Sequence, residues 1–133
     1  LAYVFADTGK HLDEAEKLVE RAIELQPNDG FILDTYGWVL FKRGKVSDAI
    51  RILETAYKIQ PDESVIAEHL ADAYYQNQMP EKAKKLYTRA AELETNVAQA
   101  DKIRSKLASV DRQSQAIGAP TERKPASVED AAK

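Results

Sequence analysis

The sequence repeats at an interval of 34 residues, and this period restricts the possible folds more than any other feature. Within one period, apolar residues recur every three or four positions in two separate stretches, the spacing of one face of an α-helix. Each unit is therefore predicted to be a helical hairpin, and successive hairpins are predicted to stack into an array. Positions that share one register are Ala15, Ala49 and Ala83, then Ala22, Ala56 and Ala90, then Leu25, Ile59 and Leu93.

Prolines mark the boundaries between hairpins. Pro27 and Pro61 prevent the preceding helix from continuing, and Asn28 and Asp62 are expected to cap the next helix. These signals predict full units at 30–63 and 64–97, preceded by a partial unit at 1–29. Gly44 lies between the two helical stretches of the middle unit, at a turn that favours positive φ, and Gln78 occupies the matching place one unit later.

The last part of the chain changes character. Apolar residues continue at helical spacing after the third unit, which predicts a capping helix at about 96–110 that covers the end of the array. The array is therefore assigned to 1–110. Residues 111–133 are rich in Gln, Ser, Ala, Pro and mixed charge without apolar periodicity, so a disordered tail is expected there.

Composition excludes several classes of function. The net charge is -3, from 22 acidic and 19 basic residues, so no strong field attracts nucleic acid or an anionic membrane. No apolar run approaches the roughly 20 residues that span a bilayer, and no membrane insertion is expected of this segment. A basic cluster on one second helix is balanced by Glu81, Glu92 and Glu94, which favours a solvated outer face. The cluster consists of Lys82, Lys84, Lys85 and Arg89.

Catalytic and metal-binding chemistry has little support in the sequence. There is no cysteine, and the two histidines, His11 and His69, are not spaced as metal ligands. His69 stands beside Glu68 and Asp72, yet a lone histidine among acids on a helix is more often solvent-facing. We therefore predict no catalytic residue, no metal site and no cofactor, so the chain is not expected to be an enzyme.

The middle unit resembles a tetratricopeptide repeat (TPR) motif. The matching residues are Gly37, Leu40, Gly44, Ala49, Leu53, Ala56 and Pro61, and the next unit matches through Ala71, Tyr74, Ala83, Tyr87 and Ala90. The resemblance implies an all-α, right-handed superhelix of antiparallel hairpins with a C-terminal capping helix. It also implies a concave groove lined by the first helices, where TPR proteins hold a peptide or protein partner. The implied function is that of a non-catalytic adaptor or scaffold.

Ten residues of this chain match groove-facing positions of TPR hairpins. Trp38 is the most prominent, because a large aromatic residue on the inner face is of the type that often anchors an interface. The alternative is that Trp38 packs against the neighbouring first helix. The acids around it either select a basic or amide-rich segment or form a solvated face, and they do not match the Lys, Arg and Asn clamp for acidic chaperone C-termini. The ten are Tyr3, Asp7, Phe31, Asp34, Trp38, Lys42, Val65, Glu68, Asp72 and Tyr75.

Two further expectations concern the wider context. The segments at 12–15 and 32–40 are similar to the C-terminal repeats of bacterial, often envelope-associated TPR proteins. This similarity implies the bacterial periplasm or an association with the outer membrane, if the parent protein is a lipoprotein, as an alternative to the cytoplasm. The partial first unit would leave Leu12, Leu18 and Ile23 without a full covering helix. The second functional hypothesis is therefore structural: a terminal stack of a longer solenoid, or a homo-oligomer formed through the truncated repeat.

Overall fold

A computed structural model describes residues 11–118, and the predicted groove residues Tyr3 and Asp7 lie outside this range. Residues 11–118 form six helices and no β-strand, which confirms the all-α prediction. The helices are α1 (Leu12–Leu25), α2 (Gly30–Lys42), α3 (Val46–Ile59), α4 (Ser64–Gln76), α5 (Pro80–Leu93) and α6 (Val97–Gly118). α2 packs on α3 and α4 packs on α5, so each pair is a hairpin, and α6 packs on α5 at the end of the array.

The helix starts are capped differently from the prediction. Asp29, not Asn28, is the N-cap of α2, and its Oδ1 accepts hydrogen bonds from the backbone N–H groups of Phe31 and Ile32. At α4 the N-cap is Glu63 without a side-chain bond, while Asp62 instead pairs with Arg89 at 2.8 Å. The prolines end the preceding helices as expected, but the local φ and ψ place the cap one residue later than the sequence suggests.

The two hairpin turns have left-handed backbone conformations. Gly44 has φ +82°, as predicted for the first turn. Gln78 occupies the equivalent place with φ +56°, a conformation that costs a residue with a side chain roughly 1–2 kcal/mol. Pro80 follows at the start of α5, where its missing N–H is not needed.

Small residues let the paired helices approach closely. Ala49, Ala56, Ala83 and Ala90 are completely buried, and large side chains such as Leu53 and Tyr87 fill the space between helices. The approach is closest at Gly37, where an added Cβ would lie 2.5 Å from Leu53 Cγ. Glycine at this position is therefore required by packing and not by backbone conformation.

The capping helix is longer than predicted. Helix α6 continues to Gly118, so residues 111–118 are helical and the expectation of disorder from 111 is wrong for them. Val110 is buried against the array, and Gln113 Nε2 donates a hydrogen bond to the backbone oxygen of Tyr75 at 2.9 Å. These contacts extend the helix into a segment that has no apolar stripe of its own. The rest of the predicted tail, 119–133, lies outside the described residues.

Candidate functional site

The first helices α2 and α4 lie side by side, and α6 continues the same row as the first helix of a fourth unit would. We call the surface formed by these three helices the first-helix face. Eight of the ten predicted groove residues lie on α2 and α4 within the described range. They are Phe31, Asp34, Trp38 and Lys42 on α2, and Val65, Glu68, Asp72 and Tyr75 on α4.

Trp38 lies at the centre of an aromatic stack on this face. Its ring stacks on His69 of α4, with ring centroids 4.3 Å apart, and on Phe41 of its own helix at 5.3 Å. The Nζ atom of Lys42 lies 5.0 Å from the Trp38 ring centroid, within the range of a cation–π interaction. Trp38 is partly buried, so it both packs against the neighbouring first helix and leaves part of its ring exposed. The packing alternative posed from the sequence is therefore observed, and a role of Trp38 in binding stays a prediction.

Asp34 and His69 form a buried pair beneath Trp38. Each is about one-twentieth exposed, and Nδ1 of His69 lies 2.8 Å from Oδ1 and 3.1 Å from Oδ2 of Asp34. Because an ionised carboxylate can only accept hydrogen bonds, His69 donates through Nδ1–H. The expectation of a solvent-facing His69 is wrong, because α4 packs with this residue against α2. Asp34 is likewise buried and is not open to a ligand.

The other two acids on this face are held by the capping helix. Lys106 Nζ lies 2.7 Å from Glu68 Oε2 and 3.1 Å from Asp72 Oδ1, and Gln99 Nε2 donates to Glu68 at 3.4 Å. Burial lowers the pKa of Lys106, but its bond to Glu68 and the charge of Asp72 outweigh this and raise the pKa above its ordinary value. Neither a solvated acidic face nor a free acidic pocket is present here.

A tyrosine from the second helix completes this network. The Tyr87 hydroxyl donates a hydrogen bond to Asp72 Oδ1. Burial, followed by the charge of Asp72 and this hydrogen bond, raises the pKa of Tyr87 well above its usual range. Tyr87 therefore remains a neutral donor, and Asp72 has partners from both α5 and α6.

The remaining predicted residues form the accessible part of the face. Phe31 is 46% exposed and Val65 is 38% exposed, although both are apolar. Lys42 is exposed beside Trp38, and Tyr75 is partly buried with its backbone oxygen bound by Gln113. Among the residues that the structure describes, this part of the face is therefore apolar and aromatic, with Lys42 beside Trp38.

Sequence reasoning missed four contributors to this face: His69, Phe41, Lys106 and Gln99. Two of them were visible in the repeat, because the interval of 34 residues places Lys106 in register with Trp38 and Asp72, and Gln99 in register with Phe31 and Val65. Extending the register into the last helix would have found both. The burial of His69 has no such signal, since its contact with Asp34 depends on how α4 packs on α2.

Residues 11–118 also bear on two other functions, membrane insertion and metal binding. None of their helices combines the length and apolar character needed to cross a bilayer. Over the same range, no three His, Cys, Asp or Glu residues are grouped so that they could hold a metal ion.

Comparison with known proteins identifies the family. A sequence profile described as tetratricopeptide repeat matches residues 40–107, which is about half of the chain. The chain belongs to the tetratricopeptide repeat family. It is also 40% identical over 72 residues to a TPR repeat-containing protein of Pseudomonas aeruginosa. The aligned segment is 54% of this chain but only 12% of that relative's length.

Solved TPR structures share the fold. The TPR domain of Sgt2 from Aspergillus fumigatus has a TM-score of 0.75 at 21% identity, covering 98% of this chain and 90% of that one. PcrH in complex with the chaperone-binding region of PopD also has a TM-score of 0.75, at 19% identity, covering 86% of this chain and 88% of that chain. The Yersinia enterocolitica chaperone SycD bound to a peptide of the translocator YopD has a TM-score of 0.71 at 18% identity, covering 85% and 92%. At these identities the similarity concerns the fold.

Proposed function

We propose that this TPR array is a non-catalytic protein-binding module that holds a peptide or protein segment on the first-helix face. Trp38 is the central contact, and Phe31 and Val65 are exposed apolar residues of the same face. In the superhelix of the family this face is concave, so one segment can contact α2, α4 and α6 together. The similarity to PcrH and SycD, whose structures contain bound segments of PopD and YopD, supports a peptide as the kind of ligand.

The proposal about ligand chemistry rests on the contacts that the acids of this face make within the fold. Asp34 is held by His69, while Glu68 and Asp72 share Lys106, so the acids need no basic ligand. Opening these pairs would leave buried or half-buried charges without partners, which costs more than an exposed ion pair to a ligand returns. The partner is therefore expected to present apolar or aromatic side chains to Phe31, Trp38 and Val65, not a run of lysines or arginines.

The test is selection of binding peptides from a random library by the intact protein, followed by affinity measurement on variants. Trp38→Ala is expected to weaken the selected peptides by about 30-fold, the loss typical of an interface anchor. The double variant Phe31→Ser, Val65→Ser removes exposed side chains only, so it reports on the face without disturbing the core. Lys84→Gln, on the outer side of α5, serves as the matched control and is expected to leave affinity unchanged.

The outcomes separate the alternatives. Apolar peptides that lose affinity with the first-helix variants but not with Lys84→Gln support the proposal. If the peptides bind all variants equally, the site is contradicted. If lysine and arginine dominate the selected peptides, the proposed ligand chemistry is contradicted. Helical circular dichroism of each variant shows whether a loss reflects binding or unfolding.

The structural hypothesis has one specific observation in its favour. Leu18 is 43% exposed and Leu25 is 81% exposed on α1, and their spacing of seven residues places both on one side of this helix. A second copy or a neighbouring repeat would cover these residues. Sedimentation velocity over a range of concentrations tests self-association, and a monomer at every concentration contradicts it for the isolated chain.

A further inference from the structure

The outer side of the array carries a separate groove, which we call the outer groove. It is a cavity of about 340 Å³ between α3 and α5, and one residue of α4 also contributes to its wall. Its lining combines two aromatic residues, one aliphatic residue and two cations: Tyr57, Tyr74, Leu86, Lys82 and Lys85. Tyr74 and Leu86 are largely buried, so the interior of the groove is apolar and its rim is positive.

The basic cluster of α5 divides into two pairs of residues. Lys84 Nζ lies 3.7 Å from Asp111, and Arg89 Nη2 lies 2.8 Å from Asp62, so these two cations have acidic partners within the fold. Lys82 and Lys85 line the outer groove and make no ion pair with residues 11–118. Two of the three acids that balance the cluster in the sequence bond elsewhere: Glu94 accepts hydrogen bonds from Ser64 and Asn96, and Glu81 accepts one from Ser114.

Aromatic contacts hold the two sides of this groove in place. Lys82 Nζ lies 5.5 Å from the Tyr74 ring centroid, within cation–π range. The Tyr74 hydroxyl donates to Glu54 Oε2, and burial together with this bond raises the pKa of Tyr74 above its usual range. The Glu54 carboxylate is thus fixed near the groove, where it opposes any anionic ligand. Removing the negative charge of Glu54 is therefore expected to strengthen the binding of an anionic ligand.

We propose that the outer groove binds an acidic peptide segment, with one apolar side chain inserted between Tyr57 and Leu86 and carboxylates paired with Lys82 and Lys85. This interaction surface is additional to the first-helix face and does not depend on the function proposed for it. The choice of an acidic ligand rests on charge complementarity. Within residues 11–118 the two lysines that line the groove make no ion pair, and the net charge of the whole protein is -3, so the groove is a local positive site.

Carboxylates fit the groove better than phosphates do. Phosphate sites commonly use the planar fork of arginine or a helix N-terminus, and here Arg89 is engaged with Asp62. Nucleic acid binding favours a continuous row of cations along the backbone, whereas the lining of this groove within the described residues contains two lysines. The apolar interior also favours an aliphatic or aromatic side chain over a sugar.

The experiment is titration of the whole chain with a peptide in which glutamates flank a leucine–phenylalanine pair, observed by backbone amide chemical shifts. This readout detects millimolar binding and locates it. Shifts are expected to concentrate at Tyr57, Lys82, Lys85 and Leu86. The variant Lys82→Gln, Lys85→Gln is expected to weaken binding about 2- to 30-fold, the range for two exposed ion pairs. Glu54→Gln keeps a hydrogen-bond acceptor for Tyr74 and is expected to strengthen binding about two- to fivefold.

The control variant is Lys84→Gln, Arg89→Gln, which makes the same change of charge on the same helix outside the groove. It is expected to change affinity less than twofold. An equal loss in this control would show nonspecific attraction to α5 and overturn the proposal. Equal binding of a peptide with glutamine in place of glutamate, tighter binding of oligothymidylate, or no localised shifts at millimolar peptide would overturn it as well.

Discussion

Replacing Gly37 by alanine tests whether packing or backbone freedom fixes this residue. Alanine stabilises a helix interior by about 1 kcal/mol relative to glycine, and α2 is helical at this position, so propensity alone predicts a gain. The added Cβ, however, would lie 2.5 Å from Cγ and 2.7 Å from Cδ2 of Leu53. Leu53 is completely buried, and its Cγ cannot move without displacing the side chain.

The magnitude follows from these two opposing effects. Overpacking a well-packed core typically costs about 1–3 kcal/mol, and a contact this short belongs at the upper end. After subtraction of the helix gain of about 1 kcal/mol, the variant is expected to lose about 1–2 kcal/mol. For a domain of this size that corresponds to a decrease in Tm of about 5–15 °C.

The assay is urea and thermal unfolding followed by helical circular dichroism. Gly30→Ala is the matched control on the same helix, because the atoms nearest its added Cβ belong to the flexible side chain of Gln60 and not to a buried leucine. This control is expected to be close to neutral. In a Leu53→Ala background the contact disappears, so Gly37→Ala is expected to stabilise there by about 0.5–1 kcal/mol. A Gly37→Ala protein as stable as the original, or one equally destabilised in both backgrounds, would refute the packing argument.

Two further predictions concern the buried polar groups. His69→Phe leaves the Asp34 carboxylate without the hydrogen-bond donor that lies 2.8 Å away, and it is expected to lower the free energy of unfolding by about 3–5 kcal/mol. The double variant His69→Phe, Asp34→Leu is expected to recover most of this loss. If the double variant recovers no stability, the two residues are not a coupled pair. The pKa of Tyr87 in the folded state is raised above 10.0, so its phenol ionises at a lower pH in the unfolded chain than in the folded protein. The free energy of unfolding that is present below pH 10 therefore falls as the pH rises, by up to about 1.4 kcal/mol per pH unit. Tyr87→Phe should flatten this alkaline slope in unfolding titrations, and an unchanged slope would show that the phenol does not contribute.

Much of the fold was predictable from local pattern. The interval of 34 residues, the prolines and the alternation of small and large residues identified the hairpins, because these features act within one helix or one turn. The position of the helix caps and the length of α6 were missed. Asp29 caps α2 through local dihedral angles, and residues 111–118 are helical although their own sequence lacks an apolar stripe.

The candidate site was predicted by position more successfully than by chemistry. Phe31, Lys42 and Val65 are exposed on the first-helix face, and Trp38 lies at its centre. Asp34, Glu68 and Asp72 also lie at the predicted positions but are engaged by His69 and Lys106. Those partners are 34 to 38 residues distant in sequence, and only their approach in space shows that the acids are already neutralised.

The repeat, the helical hairpin and the family follow from local sequence, because periodicity and turn chemistry are properties of neighbouring residues. Which charged side chains form ion pairs depends on the tertiary structure. Within residues 11–118, Lys82 and Lys85 make no ion pair while Lys84 and Arg89 on the same helix do, a difference that helical spacing does not reveal. The physical reason is that the effect of a charge depends on its distance to other charges and on its burial, and both are set by packing between helices.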